Sequence, residues 1–181
     1  MRIRILISTF FIPFFLLIVS RLLAQISPGD LSEVHSALEG MSNCTQCHIL
    51  GDKVSNEKCL ACHIEVKERI DANKGYHSSS GVKGKSCVAC HNDHHGRTFE
   101  IIRFEKEKFD HSLAGYELLG AHAKKSCADC HKSEFITDPK IKKKKYASYL
   151  GLNTSCLSCH IDYHQNTLSR TCTDCHTFDN F

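Results

Sequence analysis

Ser86-Cys87-Val88-Ala89-Cys90-His91-Asn92-Asp93-His94-His95 holds the device that decides this fold. The stretch recurs, as S-C-x-x-C-H-x-D-x-H, at Ser155-Cys156-Leu157-Ser158-Cys159-His160-Ile161-Asp162-Tyr163-His164. Its centre, Cys-x-x-Cys followed at once by His, occurs six times: Cys44, Cys47 and His48; Cys59, Cys62 and His63; Cys87, Cys90 and His91; Cys127, Cys130 and His131; Cys156, Cys159 and His160; Cys172, Cys175 and His176. These six motifs use all 12 cysteines, while only 13 of the 181 residues are His, so composition alone does not place an imidazole after every pair. Zinc accepts Cys-x-x-Cys pairs but requires no His directly after each one. A thioredoxin-like dithiol needs a single motif in a βαβ pattern rather than six.

Cys-x-x-Cys-His is the attachment sequence of c-type haem. Two thiols three residues apart lie on one side of a helical turn, where they can form thioethers with the two vinyl groups of one porphyrin. The adjacent imidazole then approaches the iron as its proximal ligand. The motifs therefore predict six covalently attached haem c groups. Their cysteines bind the macrocycles, and His48, His63, His91, His131, His160 and His176 bind the irons. No cysteine remains for a disulfide or a nucleophile.

Composition supports a core that side chains do not fill. Outside residues 1–24, apolar residues other than cysteine make up roughly 29% of the chain, a thin supply for an interior of this length. The expected fold is loop-rich, with short α-helices, little or no β-sheet and a haem-filled core. One longer helix is expected over Glu57–Ala72, where Leu60, Ile64, Val66 and Ile70 fall among charges. The formal net charge of +3 resides in Arg2, Arg4 and Arg21, leaving the rest neutral, which argues against a nucleic-acid partner.

Residues 1–24 read as a signal peptide: a basic start, an apolar run from Ile5 to Ser20 and a small residue, Ala24, at the end. The alternative is an uncleaved membrane anchor, although the run before Arg21 is shorter than the ~20 residues of a spanning helix. The expected compartment is the periplasm. The long gap between His91 and Cys127 suggests an N-terminal trihaem segment over residues 25–100 and a C-terminal one over 101–181, with one continuous module as the alternative.

Seven histidines lie outside the motifs: His35, His77, His94, His95, His111, His122 and His164. Six irons need six distal ligands if every coordination sphere is closed. In the internal alignment His95 pairs with His164 and His94 falls opposite Tyr163, so His94 is taken as the spare. A His four residues beyond its own proximal His lies on the same helical face, so His95 and His164 must serve irons of other motifs. His122, five residues before Cys127, is expected to bridge in the same way, while His111 and His35 have enough chain to fold over the next haem.

The six motifs, Phe109-Asp110-His111, Gly120-Ala121-His122 before Cys127, and the two H-x-D-x-H extensions resemble the class III multihaem cytochromes c, the cytochrome c3/c7-like group. That resemblance covers residues 31 to 181. It implies a compact, loop-rich periplasmic protein with bis-histidine haems of low reduction potential. Members of the group often continue past the last motif with another Phe-Asp-His segment; here five residues follow His176.

The expected function is that of an exported hexahaem electron carrier between respiratory redox proteins, not an enzyme. The alternatives are a reductase with one open haem for a small oxidised substrate, or a subunit of a membrane-bound electron-transfer complex. None of the motifs replaces its final His by Lys, the substitution expected in pentahaem nitrite reductases. Met41 is the one methionine outside residues 1–24, and packing is its expected role. Five lysines within Lys140–Lys145 form either a solvated linker or a docking patch for an acidic redox partner. The aromatics Phe99, Phe104, Phe109, Tyr116, Tyr146, Tyr149 and Tyr163 are expected against porphyrin faces.

Overall fold

The structure is a computed structural model that describes residues 28–51, 53–142 and 148–179. The leader of residues 1–24 and Lys143 to Lys145 lie outside the described residues. Five short helices appear among the described residues: α1 (Cys44–Cys47), α2 (Asn56–Cys62), α3 (Ile64–Asp71), α4 (Cys127–Cys130) and α5 (Pro139–Lys142). Single 3₁₀ turns, including those at Cys87–Ala89, Cys156–Ser158 and Cys172–Asp174, supply most of the rest. Among the described residues there is no strand, only isolated antiparallel bridges between His48 and Val54 and between Ile136 and Leu152. The loop-rich, short-helix class expected from the sequence is the one observed.

The helix expected over Glu57–Ala72 is broken at His63, whose backbone leaves the helical region (φ −89°, ψ 60°). The break follows from the motif: His63 N–H closes the last turn on Cys59 O at 2.9 Å, and the chain then swings away. No helix among the described residues is long and apolar enough to cross a membrane.

Side chains alone build almost no interior. Among the described hydrophobic residues, Ile136 and Ile141 are the buried ones, while Met41, Leu50, Ile102, Ile161 and Tyr163 are each more than two-thirds exposed. Burying apolar area is the main drive for folding, so a chain with this little of it depends on something else to fill its core.

The chain divides into two compact units. The first takes the chain up to Lys58 together with Ser86–Arg103, and thus the motifs ending at His48 and His91. The second takes Cys59–Lys85 with Phe104–Phe181, and thus the other four motifs. This differs from a cut near residue 100, and packing within the second unit gives the reason. Tyr76 sits 5.3 Å from Phe109, ring centre to ring centre, and Phe109 meets Phe104, which meets Tyr149, both at 5.5 Å and edge-on. Residues 59–85 are thereby bound to the C-terminal half.

In the first unit, residues 29–39 are laid along residues 93–97. Gly96 N–H donates to Asp30 O at 3.0 Å and Glu33 N–H to Arg97 O at 3.1 Å. Arg97 donates to Leu31 O at 2.7 Å and forms an ion pair with Glu39, which also accepts from Leu31 N–H at 2.9 Å. The side-chain bond from Arg97, and then that from Leu31 N–H, hold the Glu39 carboxyl below its usual range.

In the second unit the C-terminal segment docks on Gly120. Ala121 N–H donates to Phe178 O at 2.8 Å, and a Cβ at Gly120 (φ +54°) would meet the Phe178 carbonyl carbon at 2.6 Å. Only glycine admits that approach.

Two outcomes follow. A depressed carboxyl contributes stability above its unfolded value, about 4.3 for Glu, and loses it as pH falls through the lower folded value. Amide exchange over residues 31–39 should therefore accelerate below about pH 4, and Glu39→Gln should give the faster exchange at neutral pH. Gly120→Ala should cost about 1–3 kcal/mol through overpacking, read as a lower Tm and faster proteolysis at the C-terminus.

Candidate haem-binding site

Each motif is a single helical turn, α or 3₁₀, closed by the same bond. The N–H of the final His donates to the carbonyl of the first Cys in all six: His48 to Cys44 at 2.8 Å, His63 to Cys59 at 2.9 Å, His91 to Cys87 at 2.8 Å, His131 to Cys127 at 2.9 Å, His160 to Cys156 at 2.9 Å and His176 to Cys172 at 2.9 Å. This turn sets both thiols beside the imidazole. Ser126 starts the fourth by a capping box with Asp129, the two residues exchanging hydrogen bonds. Among the described residues no disulfide joins any of the twelve cysteines.

Tertiary structure then brings imidazoles together in pairs, three of them tilted and that of His122 and His160 edge-on. His48 and His94 have ring centres 6.2 Å apart, His131 and His111 6.4 Å, His160 and His122 6.0 Å, and His176 and His164 6.0 Å. Every pair joins one motif histidine to one histidine outside the motifs. An imidazole nitrogen binds a first-row metal at about 2 Å and lies roughly 1 Å from its ring centre, so two imidazoles on one iron have centres roughly 6 Å apart. The spacing of each of the four pairs would therefore suit two imidazoles that hold one iron.

Tautomers point the same way. A backbone carbonyl can only accept, so His94 Nδ1, 2.9 Å from Gly29 O, carries the proton, as do His91 Nδ1 at 3.2 Å from Ile101 O and His111 Nδ1 at 3.2 Å from Phe109 O. Each leaves the Nε2 lone pair for a metal. Burial, and then the nearby His111, push the His131 imidazole below its ordinary value, which favours the neutral form a metal requires. Nδ1 of His122 and of His131 is buried with no hydrogen-bond partner. Among the described residues no three His, Cys, Asp or Glu side chains converge as a tetrahedral zinc site would need.

Aromatic rings hold the His131–His111 pair in place. Phe109 stands edge-on to His111 at 5.1 Å and Tyr149 edge-on to His131 at 5.0 Å, while Phe104 joins Phe109 to Tyr149. His122 lies between Tyr116 at 6.4 Å and Phe178 at 6.0 Å. Burial raises the Tyr116 hydroxyl above its ordinary value. Tyr163 is 84% exposed, and Tyr146 lies outside the described residues.

Sequence alignment set His94 aside; the structure turns it towards His48. His94 adopts a left-handed backbone (φ +69°) that His tolerates better than most residues. Asp93 accepts its N–H at 2.8 Å and Gly29 its Nδ1–H. A Cβ on Gly29 would come within 2.6 Å of His94 O, so a glycine is required there. The signal available in the sequence was Asp-His-His itself, since a turn at the first His aims it away from the helix. His95 instead lies over Phe99 at 4.4 Å. His35 Nδ1 is 2.8 Å from Asp93 Oδ2, His77 is edge-on to Tyr76 at 6.0 Å, and His63 Nδ1 is 4.0 Å from Glu65 Oε1. Of the lysine run, Lys140 pairs with Glu68 at 2.5 Å.

Comparison with curated proteins and with solved structures found no significant match. Residues 107–177 match the family described as "Cytochrome c7 and related cytochrome c". The matched stretch contains three motifs and three facing pairs, those of His131, His160 and His176 with His111, His122 and His164. Over residues 107–177 this chain is thus similar to the cytochrome c7-related cytochromes c, multihaem electron-transfer proteins that carry covalent haem c.

Proposed function

We propose that the protein is an exported hexahaem electron carrier whose irons are closed by pairs of histidines. The observation that carries this reading is the facing of four motif histidines by four histidines from elsewhere in the chain. When bound, haem c supplies a one-electron iron couple. Held by two imidazoles, as the His48–His94, His131–His111, His160–His122 and His176–His164 pairs would hold it, the iron would keep like coordination in both oxidation states, so electron transfer would need no substrate pocket and little rearrangement.

The chain's own connectivity favours transfer between neighbouring centres. His122 precedes the motif of Cys127 by five residues yet faces His160, and His164 follows His160 by four residues yet faces His176. Each of these short links ties the ligand of one centre to the attachment turn of another. The centres of His131, His160 and His176 are in this way strung in series by a few residues of backbone. Periplasmic location, the leader of residues 1–24, and docking of an acidic redox partner at Lys140–Lys145 belong to this proposal. A place in a membrane-bound respiratory complex would use the same wiring.

Native protein, reduced with dithionite and exposed to carbon monoxide, tests the reading. The expected spectrum is unchanged, with six haems per chain by mass. A carbon monoxide band from one haem in the native protein would sink it in favour of a reductase. In His94→Ala one haem is expected to take up carbon monoxide, whereas His95→Ala should leave the protein closed; the reverse result would return His94 to the role of spare.

A further inference from the structure

In the first unit one carboxylate stands at hydrogen-bond distance from an imidazole. Asp93 Oδ2 lies 2.8 Å from His35 Nδ1 and accepts the Ser32 hydroxyl at 3.2 Å, while Oδ1 accepts the N–H groups of Ser32 at 2.7 Å and of His94 at 2.8 Å. Ser32 is only 1% exposed and the Asp93 side chain 16%. Two backbone N–H groups and a hydroxyl donate to the two oxygens, an acceptor role that suits a carboxylate anion fixed against one imidazole. As an anion it only accepts, so His35 carries its proton on Nδ1 and presents Nε2.

Two motif histidines belong to this unit, His48 and His91. His94 faces the first of them. Of the remaining two histidines, His95 is exposed and lies over Phe99, while His35 is bound to the residue two positions beyond His91. His35 is thus the ligand left for the centre of Cys87, Cys90 and His91.

Nδ1 is supported differently elsewhere. Glu65 Oε1 stands farther from His63 Nδ1, at 4.0 Å, neutral carbonyls hold His91, His94 and His111, and Nδ1 of His122 and of His131 is buried with no hydrogen-bond partner. A carboxylate on the outer nitrogen makes an imidazole a stronger donor to its metal, which stabilises the ferric over the ferrous state. The equivalent acid in the second H-x-D-x-H stretch does something else: Asp162 accepts the backbone N–H groups of His164 at 2.9 Å and of Asn166 at 2.8 Å.

We infer that Asp93 is a positioning residue which, acting through His35, makes the haem of the Cys87–His91 motif the lowest-potential centre of the chain. This rests on the bis-histidine reading above. Electrons entering the protein would then settle last on that centre, so the first unit would be the donor end of an intramolecular gradient.

Spectroelectrochemical titration of the native holoprotein and its variants at one fixed pH tests this. Asp93→Asn removes the charge and is expected to raise the lowest of the six midpoints by about tenfold in its equilibrium constant, about 59 mV for one electron, with six low-spin haems retained. Asp162→Asn should leave that midpoint in place. Six unchanged midpoints in Asp93→Asn, or a shift in a haem other than the lowest, would overturn the inference. Should Asp93→Asn fail to accumulate as holoprotein, His35→Ala decides: the haem that gains a carbon monoxide band must be the one that has left the low end of the titration, and any other haem refutes the assignment. Carbon monoxide binding by the native protein reports separately on the bis-histidine reading.

Discussion

The bond from each motif histidine's N–H to the carbonyl of the cysteine four residues earlier is the local constraint from which the rest of the structure is assembled. It makes every Cys-x-x-Cys-His a single closed turn, independent of neighbours, with both thiols and the imidazole gathered together. Such a turn buries nothing. Its stability and purpose depend on what meets the imidazole from the other side, and in four cases this is a second imidazole delivered by a distant part of the chain. Long-range order in this protein is to a large extent the delivery of histidines.

The two units deliver them by different means. In the first, a polar clamp does it: the main chain of residues 29–33 and the side chains of Glu39, Asp93 and Arg97 exchange hydrogen bonds, and the clamp turns His94 one way and fixes His35 on Asp93. In the second, rings do it. Phe104, Phe109 and Tyr149 surround the His131–His111 pair, and Phe178 reaches His122 because Gly120 allows the main chains to touch. Neither device is a hydrophobic core in the usual sense. Both leave large apolar side chains exposed, as expected of a chain whose interior belongs to its cofactors.

These differences carry chemistry. A carboxylate, a carbonyl or no partner on the outer nitrogen grades how strongly an imidazole donates. One residue type can in this way serve centres of unlike affinity for an electron, and the grading is set by loops rather than by the motif turns.

How far the sequence speaks follows from the range of each interaction. Attachment turns, the loop-rich class and the shortage of core are properties of spacing and composition, so they are legible residue by residue. Pairings such as His122 with His160 skip the nearest motif and leave no mark in local spacing. The facing of His94 and His48 leaves no mark in an alignment, which compares side chains at equal positions, because it depends on a left-handed backbone and on Gly29, 65 residues away. The grouping of residues 59–85 with the C-terminal half was hidden for the same reason, whereas the break at His63 is local and comes from the motif turn itself. The sequence by itself determined which atoms can hold a haem, because that chemistry needs only five consecutive residues. Only the tertiary structure decided which imidazoles face one another and what stands behind each, because those depend on contacts between residues tens of positions apart.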